Sequence, residues 1–287
     1  MSNQTTLSKI FSFFLVKIII GIVVVVGSVF LVEWLGRLLL DKTQLNDDTK
    51  NLIIAIADVF AALSSYIFLF RYYEKRRIKE LSAASFIKNA FIGFMTGLVL
   101  QSLFILVIYV FGKYSIIHIN PISFLLPSFA TAFTAGFVAE IVIVGILFRF
   151  AEETLGTFIT LLIFFILFVL MHVNVKDATA VSVVSTAIQA GILIPAAYIF
   201  SRNLWIPIFL HFAWDFTEPG IFGGINPSIS IDKSLLTSKI SGASFITGGQ
   251  MGPQNSVQSL LLCSVAAFIF LWLAKRKNNF IKPSWKK

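Results

Sequence analysis

Apolar residues run through this chain in long blocks, and most polar positions fall in the gaps between them. A helix that crosses a bilayer needs about 20 mostly apolar residues. Eight stretches are candidates: near 10–32, 52–70, 84–112, 122–150, 155–172, 181–200, 204–217 and 257–274. The pattern predicts an all-α protein, a polytopic transmembrane helical bundle of about eight spans. The first stretch follows a short polar start, Met1 to Lys9. It is too long for a secretory signal and lacks a small-residue cleavage site, so it reads as a retained span. The seventh is short and carries Pro207, His211 and Asp215, so it is expected to lie against other helices rather than lipid. The gaps at 33–51, with Asp41, Asp47 and Asp48, and at 218–256, rich in Gly and Ser, are expected to be the longer loops. No internal repeat is evident, and residues 1–287 read as a single membrane domain.

Composition supports this reading. The chain is 57% hydrophobic and 13% charged, roughly half the ~25% charged content of soluble domains. A single cysteine, Cys263, excludes a disulfide scaffold. The net charge of +9 raises the question of nucleic acid, but the cations do not form a binding stripe. They gather at Arg71, Lys75, Arg76, Arg77 and Lys79, and again between Lys275 and Lys287, in both cases beside apolar blocks. That is the positive-inside pattern of a membrane protein, whose partner is the lipid bilayer and not nucleic acid. With both termini inside, fourteen of the 23 Lys and Arg fall in inner segments and seven in outer ones, so both termini are expected to be cytoplasmic in a cell membrane. Lys17 and Lys88 sit near inner span ends, where they can snorkel.

Ionisable residues inside hydrocarbon need a partner, a watery cavity or a function. Three of the fourteen carboxylates lie in predicted spans, Asp58, Glu140 and Asp215, together with His172 and His211. His118 precedes Pro121 in a gap and reads as a solvated or interfacial residue. Asp58 stands alone in its span, where interhelical packing explains it better than chemistry. Glu140 with two imidazoles on later spans could activate water for hydrolysis or bind a divalent metal; structural hydrogen bonding explains the same residues equally well. His211 and Asp215 are four apart and share a helix face, as do Phe168 and His172. The glycines around Gly248 and Gly249 are followed by no Lys-Ser/Thr pair, which argues against a phosphate-cradling loop.

In order along the chain, these segments resemble the CPBP (Abi) family of CAAX prenyl proteases and bacteriocin-processing enzymes. The family's motifs are Glu-Glu-x-x-x-Arg, Phe-x-x-x-His and His-x-x-x-Asn/Asp. The second is intact from Phe168 to His172, and the third runs from His211 to Asp215 after Asn203-Leu204-Trp205-Ile206-Pro207. The stretch from Thr247 to Pro253 is similar to a glycine-rich segment before the last span of bacterial members, and the likeness covers about 71–275. In the first motif, Ala139 and Val144 stand where the family has its first Glu and its Arg, and only Glu140 remains. The resemblance implies an intramembrane endopeptidase acting on a membrane peptide or protein, with Glu140, His172, His211 and Asp215 as the catalytic set. It implies no required cofactor; zinc at His172, His211 and Glu140 is the alternative. With the first motif degenerate, activity is expected to be reduced or lost. The rival expectation is a pseudoenzyme, a non-catalytic member acting as a binding, regulatory or bacteriocin-immunity factor. A transporter using Asp58 and Glu140 is a third class, disfavoured by the lack of repeats. Straight spans would hold Glu140, about 25 Å in from one face, apart from His172, about 25 Å in from the other. Even so, His172, His211 and Glu140 are expected to share one water-accessible cavity, because burying three ionisable groups separately costs more, and Pro127 and Gly136 allow the fourth span to break.

Overall fold

The computed structural model describes residues 14–224 and 233–286. The polar start at Met1–Lys9, the predicted beginning of the first span, Lys287 and part of the 218–256 gap lie outside the described residues. The described chain is mostly helical. Its principal helices are α1 (Leu15–Leu40), α2 (Asp47–Tyr72), α3 (Ala83–Val110), α4 (Ile122–Leu155), α5 (Thr157–His172), α6 (Ala180–Ser201), α7 (Trp205–Phe216) and α8 (Val257–Arg276). Six of these are long and apolar enough to cross a membrane; α5 and α7 are the shorter ones. This is a multi-pass membrane protein.

Helices satisfy every backbone polar group internally, which is why apolar blocks of this length adopt them in lipid. Side chains fix the ends. Asn46 caps α2 by accepting from the Thr49 amide at 2.9 Å, and Asp47 and Asp48 follow in the first turn, where the helix dipole favours acids. Ser256 caps α8, and Lys275 and Arg276 close its last turn. The expected loop at 33–51 is much shorter than its polarity suggested. Residues 33–40 complete α1, whose last turns carry a Glu33–Arg37 pair at 2.8 Å, and 47–51 open α2. Polar residues there make caps and i,i+4 pairs rather than a loop.

The gaps after α3 and α7 are also structured. Tyr114–Ile119 (β1) and Leu236–Ile240 (β2) pair antiparallel, Tyr114 opposite Ile240, with a bulge between Ile116 and His118. His118 is exposed on this two-stranded ribbon.

Burial grades the helices from the lipid side inward. In α1 17% of the apolar window is buried, against 67% in α6. Exposed Ile19, Val23 and Phe30 mark the outer face of α1. The largest buried cluster joins Tyr66, Phe70, Val144, Phe148, Phe164 and Ile199 from α2, α4, α5 and α6. At the heart of the bundle α7 is gripped at backbone distance. A Cβ on Gly93 or Gly97 of α3 would lie 2.3 Å from Ile206 O or 2.6 Å from Leu210 O, and one on Gly136 of α4 would lie 2.8 Å from Phe212 N. Gly93 and Gly97 form a GxxxG pair, the spacing that lets two membrane helices touch.

Candidate active site

Three helices leave regular α geometry beside a polar residue. A π-helical segment begins directly after Glu140 (Ile141–Phe148), another contains Gln189 (Gln189–Leu193), and a third follows α7 (Thr217–Ile221), just beyond Asp215. A π turn widens the helix, re-aims the side chains around it and frees carbonyls from the ladder, and such turns are frequent at functional sites. Within the first of these segments, Gly145 O accepts from Arg149 Nε at 3.0 Å and lies 3.1 Å from Tyr66 Oη. The irregular backbone is thereby satisfied within protein.

These helices meet at a cavity of about 410 Å³. Glu140, His172, His211 and Asp215 all line it, with Gln189 and Trp214 among the remaining wall. Glu140 and His172 therefore do not lie apart. Helix α4 runs on to Leu155 before the turn at Gly156, and α5 starts at Thr157. At 1.5 Å per residue, Glu140 stands about 22 Å above that turn and His172 about 24 Å, so the two are level. The straight-span arithmetic misled because it ended α4 near 150, whereas the helix runs on to Leu155; the expected common cavity of Glu140, His172 and His211 is present.

Histidine 211 is clamped between carboxyl groups. Its Nδ1 lies 2.6 Å from Glu140 Oε1 and its Nε2 3.2 Å from Asp215 Oδ2, so both ring nitrogens are engaged. The i,i+4 spacing in α7 supplies the second contact, and the close approach of α7 to α4 at Gly136, one turn before Glu140, supplies the first. Glu140 is 2% exposed, and its Oε2 has no hydrogen-bond partner among the described residues. His172 Nδ1 lies 2.9 Å from Phe168 O. A carbonyl can only accept, so Nδ1 carries the proton and Nε2 is left as the uncommitted ring nitrogen. The Phe168 ring stacks on the imidazole at a centroid distance of 6.1 Å. Asp58 is buried in α2 and does not line the cavity. Among the described residues no group of three or more His, Cys, Asp or Glu side chains is placed to hold a metal ion.

Sequence reasoning missed Gln189 and Gln254 in the cavity wall and Glu218, which is bonded to Gln254 behind it. Glu218 is wholly buried in the third π segment; its Oε2 accepts from Gln254 N at 3.1 Å and, with the Gln101 amide oriented to satisfy both neighbours, from Gln101 at 2.8 Å. Gln254 also accepts from Trp214 Nε1 at 2.6 Å. Gln189 donates to Ser185, Ser259 and Gln254 O. Spacing carried a signal for Glu218, which lies three residues after Asp215 and seven after His211. It was hidden because the helix was expected to stop at Thr217.

Residues 121–217 match the family described as type II CAAX prenyl endopeptidase Rce1-like. This stretch of the chain is an Rce1-like domain. It takes in α4 to α7 and so holds Glu140, His172, His211 and Asp215, while Glu218 and Gln254 lie beyond it. The Rce1-like match is narrower than the 71–275 likeness read from the motifs. No curated protein and no solved structure matches the chain.

Proposed function

We propose that this protein is an intramembrane endopeptidase whose water-activating base is Glu140. The observation that carries the reading is the asymmetry of that carboxylate. Oε1 is held by His211, while Oε2 is buried, without a partner among the described residues, on a residue that lines the cavity. A buried acceptor left open by protein is where a water is expected. In this reading Oε2 takes a proton from that water as the oxygen attacks the scissile carbonyl. The tetrahedral intermediate then collapses, the C–N bond breaks, and Glu140 returns the proton to the leaving amine. Asp215 orients His211, which fixes Glu140 in turn. His172, its tautomer set by Phe168 O, is the group whose Nε2 can meet the substrate or the developing oxyanion. No cofactor is required in this scheme, and zinc remains the alternative. The substrate would be a membrane-embedded peptide or protein. Eight crossings, with α5 and α7 as short inner spans and both termini cytoplasmic, complete the proposal.

A non-catalytic role, in binding, regulation or bacteriocin immunity, draws on two specific observations. Ala139 and Val144 leave the first motif with one acid, and His211 has no free ring nitrogen. Purified protein reconstituted with a panel of prenylated and unprenylated membrane peptides separates the readings. Turnover abolished by Glu140→Ala, in a protein that still folds, supports the endopeptidase. Turnover that survives Glu140→Ala places the chemistry elsewhere, and none across the panel leaves the non-catalytic role.

A further inference from the structure

The connector 73–82 between α2 and α3 lies at the end of the bundle that also holds Gly156. Four carboxylates there are matched by cations. Glu74 pairs with Lys17, Arg76 and Arg149, Glu80 with Arg76, Glu153 with Arg149, and Glu152 with Arg202. Those pairs consume Lys17, Arg76, Arg149 and Arg202. Among the described residues no carboxylate lies within ion-pair distance of Arg71, Lys75, Arg77 or Lys79.

Three of these four unmatched cations converge. Arg71, Lys75 and Arg77, together with the paired Arg76, border a cavity of about 610 Å³ whose other wall is apolar, made by Ile67, Ile78 and Leu81. Ile67 is 39% exposed and one turn before Arg71 on α2, a membrane helix, so its free face meets lipid. A cationic rim over an apolar wall at the edge of the bilayer has the chemistry of a headgroup joined to acyl chains. Guanidinium groups match phosphate oxygens in a fork geometry, and each basic side chain near an anionic surface adds to the attraction. A free phosphate would use the rim and gain nothing from the apolar wall.

We infer that the Arg71–Lys75–Arg77 cavity is a binding site for the phosphate headgroup of an anionic phospholipid, with an acyl chain along Ile67. It is separate from the Glu140 chamber, and no residue is common to the two cavities.

The test is retention of phosphatidylglycerol against phosphatidylcholine by the full-length protein in mixed micelles, read by native mass spectrometry. Two triple variants are compared with the unaltered chain. One is Arg71→Gln/Lys75→Gln/Arg77→Gln, which leaves every ion pair named above in place. The other is Lys275→Gln/Arg276→Gln/Lys277→Gln, which removes the same charge from the exposed end of α8. The expected result is preferential retention of phosphatidylglycerol, weakened about fivefold per cation removed and so roughly a hundredfold in the first variant. The second variant should stay close to the unaltered chain. Equal loss in both variants would reduce the effect to general surface charge and overturn the site. Displacement of the lipid by an equal concentration of inorganic phosphate would overturn the assignment to a lipid.

Discussion

Replacing Gly93 by alanine tests the packing that positions the candidate site. The added Cβ would stand 2.3 Å from the carbonyl oxygen of Ile206 and 3.1 Å from its carbon, where ordinary contact begins at 3.4 Å. Both atoms are backbone, so no side-chain rotation relieves the overlap, and α3 and α7 must separate by about 1 Å. Helix α7 cannot simply slide away, because Gly136 of α4 already touches its backbone at Phe212. Overpacking a tight interior costs about 1–3 kcal/mol. Gly27 of α1 provides the control: it too is a helical glycine, but a Cβ there meets nothing within 4 Å. Alanine at Gly27 should therefore be neutral or stabilise by up to about 1 kcal/mol through helix propensity. The assay is the unfolding equilibrium of each variant in detergent micelles titrated with SDS. The propensity gain is common to both changes, so Gly93→Ala should be the less stable of the two by the overpacking cost, about 1–3 kcal/mol. A difference within about 0.5 kcal/mol, the range of substitutions that touch nothing, would refute the gripped-helix account.

Other outcomes follow from the same geometry. An outside-only thiol reagent should label Ser241→Cys and miss Ser284→Cys, with the buried Cys263 silent in both; the reverse pattern would invert the proposed orientation. Tyr66→Phe removes the hydroxyl that donates to Glu80 at 2.6 Å and stands 3.1 Å from Gly145 O, and should cost about 1–3 kcal/mol in the same unfolding assay. Burial alone would raise the Glu74 and Glu80 carboxyls, but Arg149 and Arg76 beside Glu74, and Arg76 and Tyr66 beside Glu80, hold them below the ordinary 4.5. Depressed carboxyl groups stabilise fully above their unfolded values, so this contribution should be lost as pH falls below about 4.5. Glu74→Gln/Glu80→Gln should flatten that part of the stability profile, and an unchanged profile would show that other acids set it.

The apolar blocks made the membrane helices legible because span length is a strong physical constraint. Their ends were less so: Glu33, Arg37 and Asp47 read as loop by polarity and prove to be paired or capping residues within helices. His211 and Asp215 were legible as a pair because helical spacing is fixed. The common cavity of Glu140 and His172 was legible from the cost of burying ionisable groups apart, but not from span arithmetic, which depends on where α4 ends. Glu218 was missed because the seventh stretch was expected to stop at Thr217, one residue short of it, and Gln189 because it carries no charge to single it out within its span. The unpaired cations at Arg71, Lys75 and Arg77 were read as a topology signal. Only the three-dimensional pairing of Glu74, Glu80 and Glu152 shows which charges are left over.

The central claim, that Glu140 activates water inside the Rce1-like domain, is tested most directly by peptide cleavage in ¹⁸O-labelled water under single-turnover conditions. The unaltered protein is compared with Glu140→Gln, which keeps the shape of the side chain and removes its basicity. The account predicts one ¹⁸O in the new carboxylate and a rate at least about 10²-fold slower in the variant. Equal rates in the two proteins, or no labelled product from the unaltered one, would contradict it.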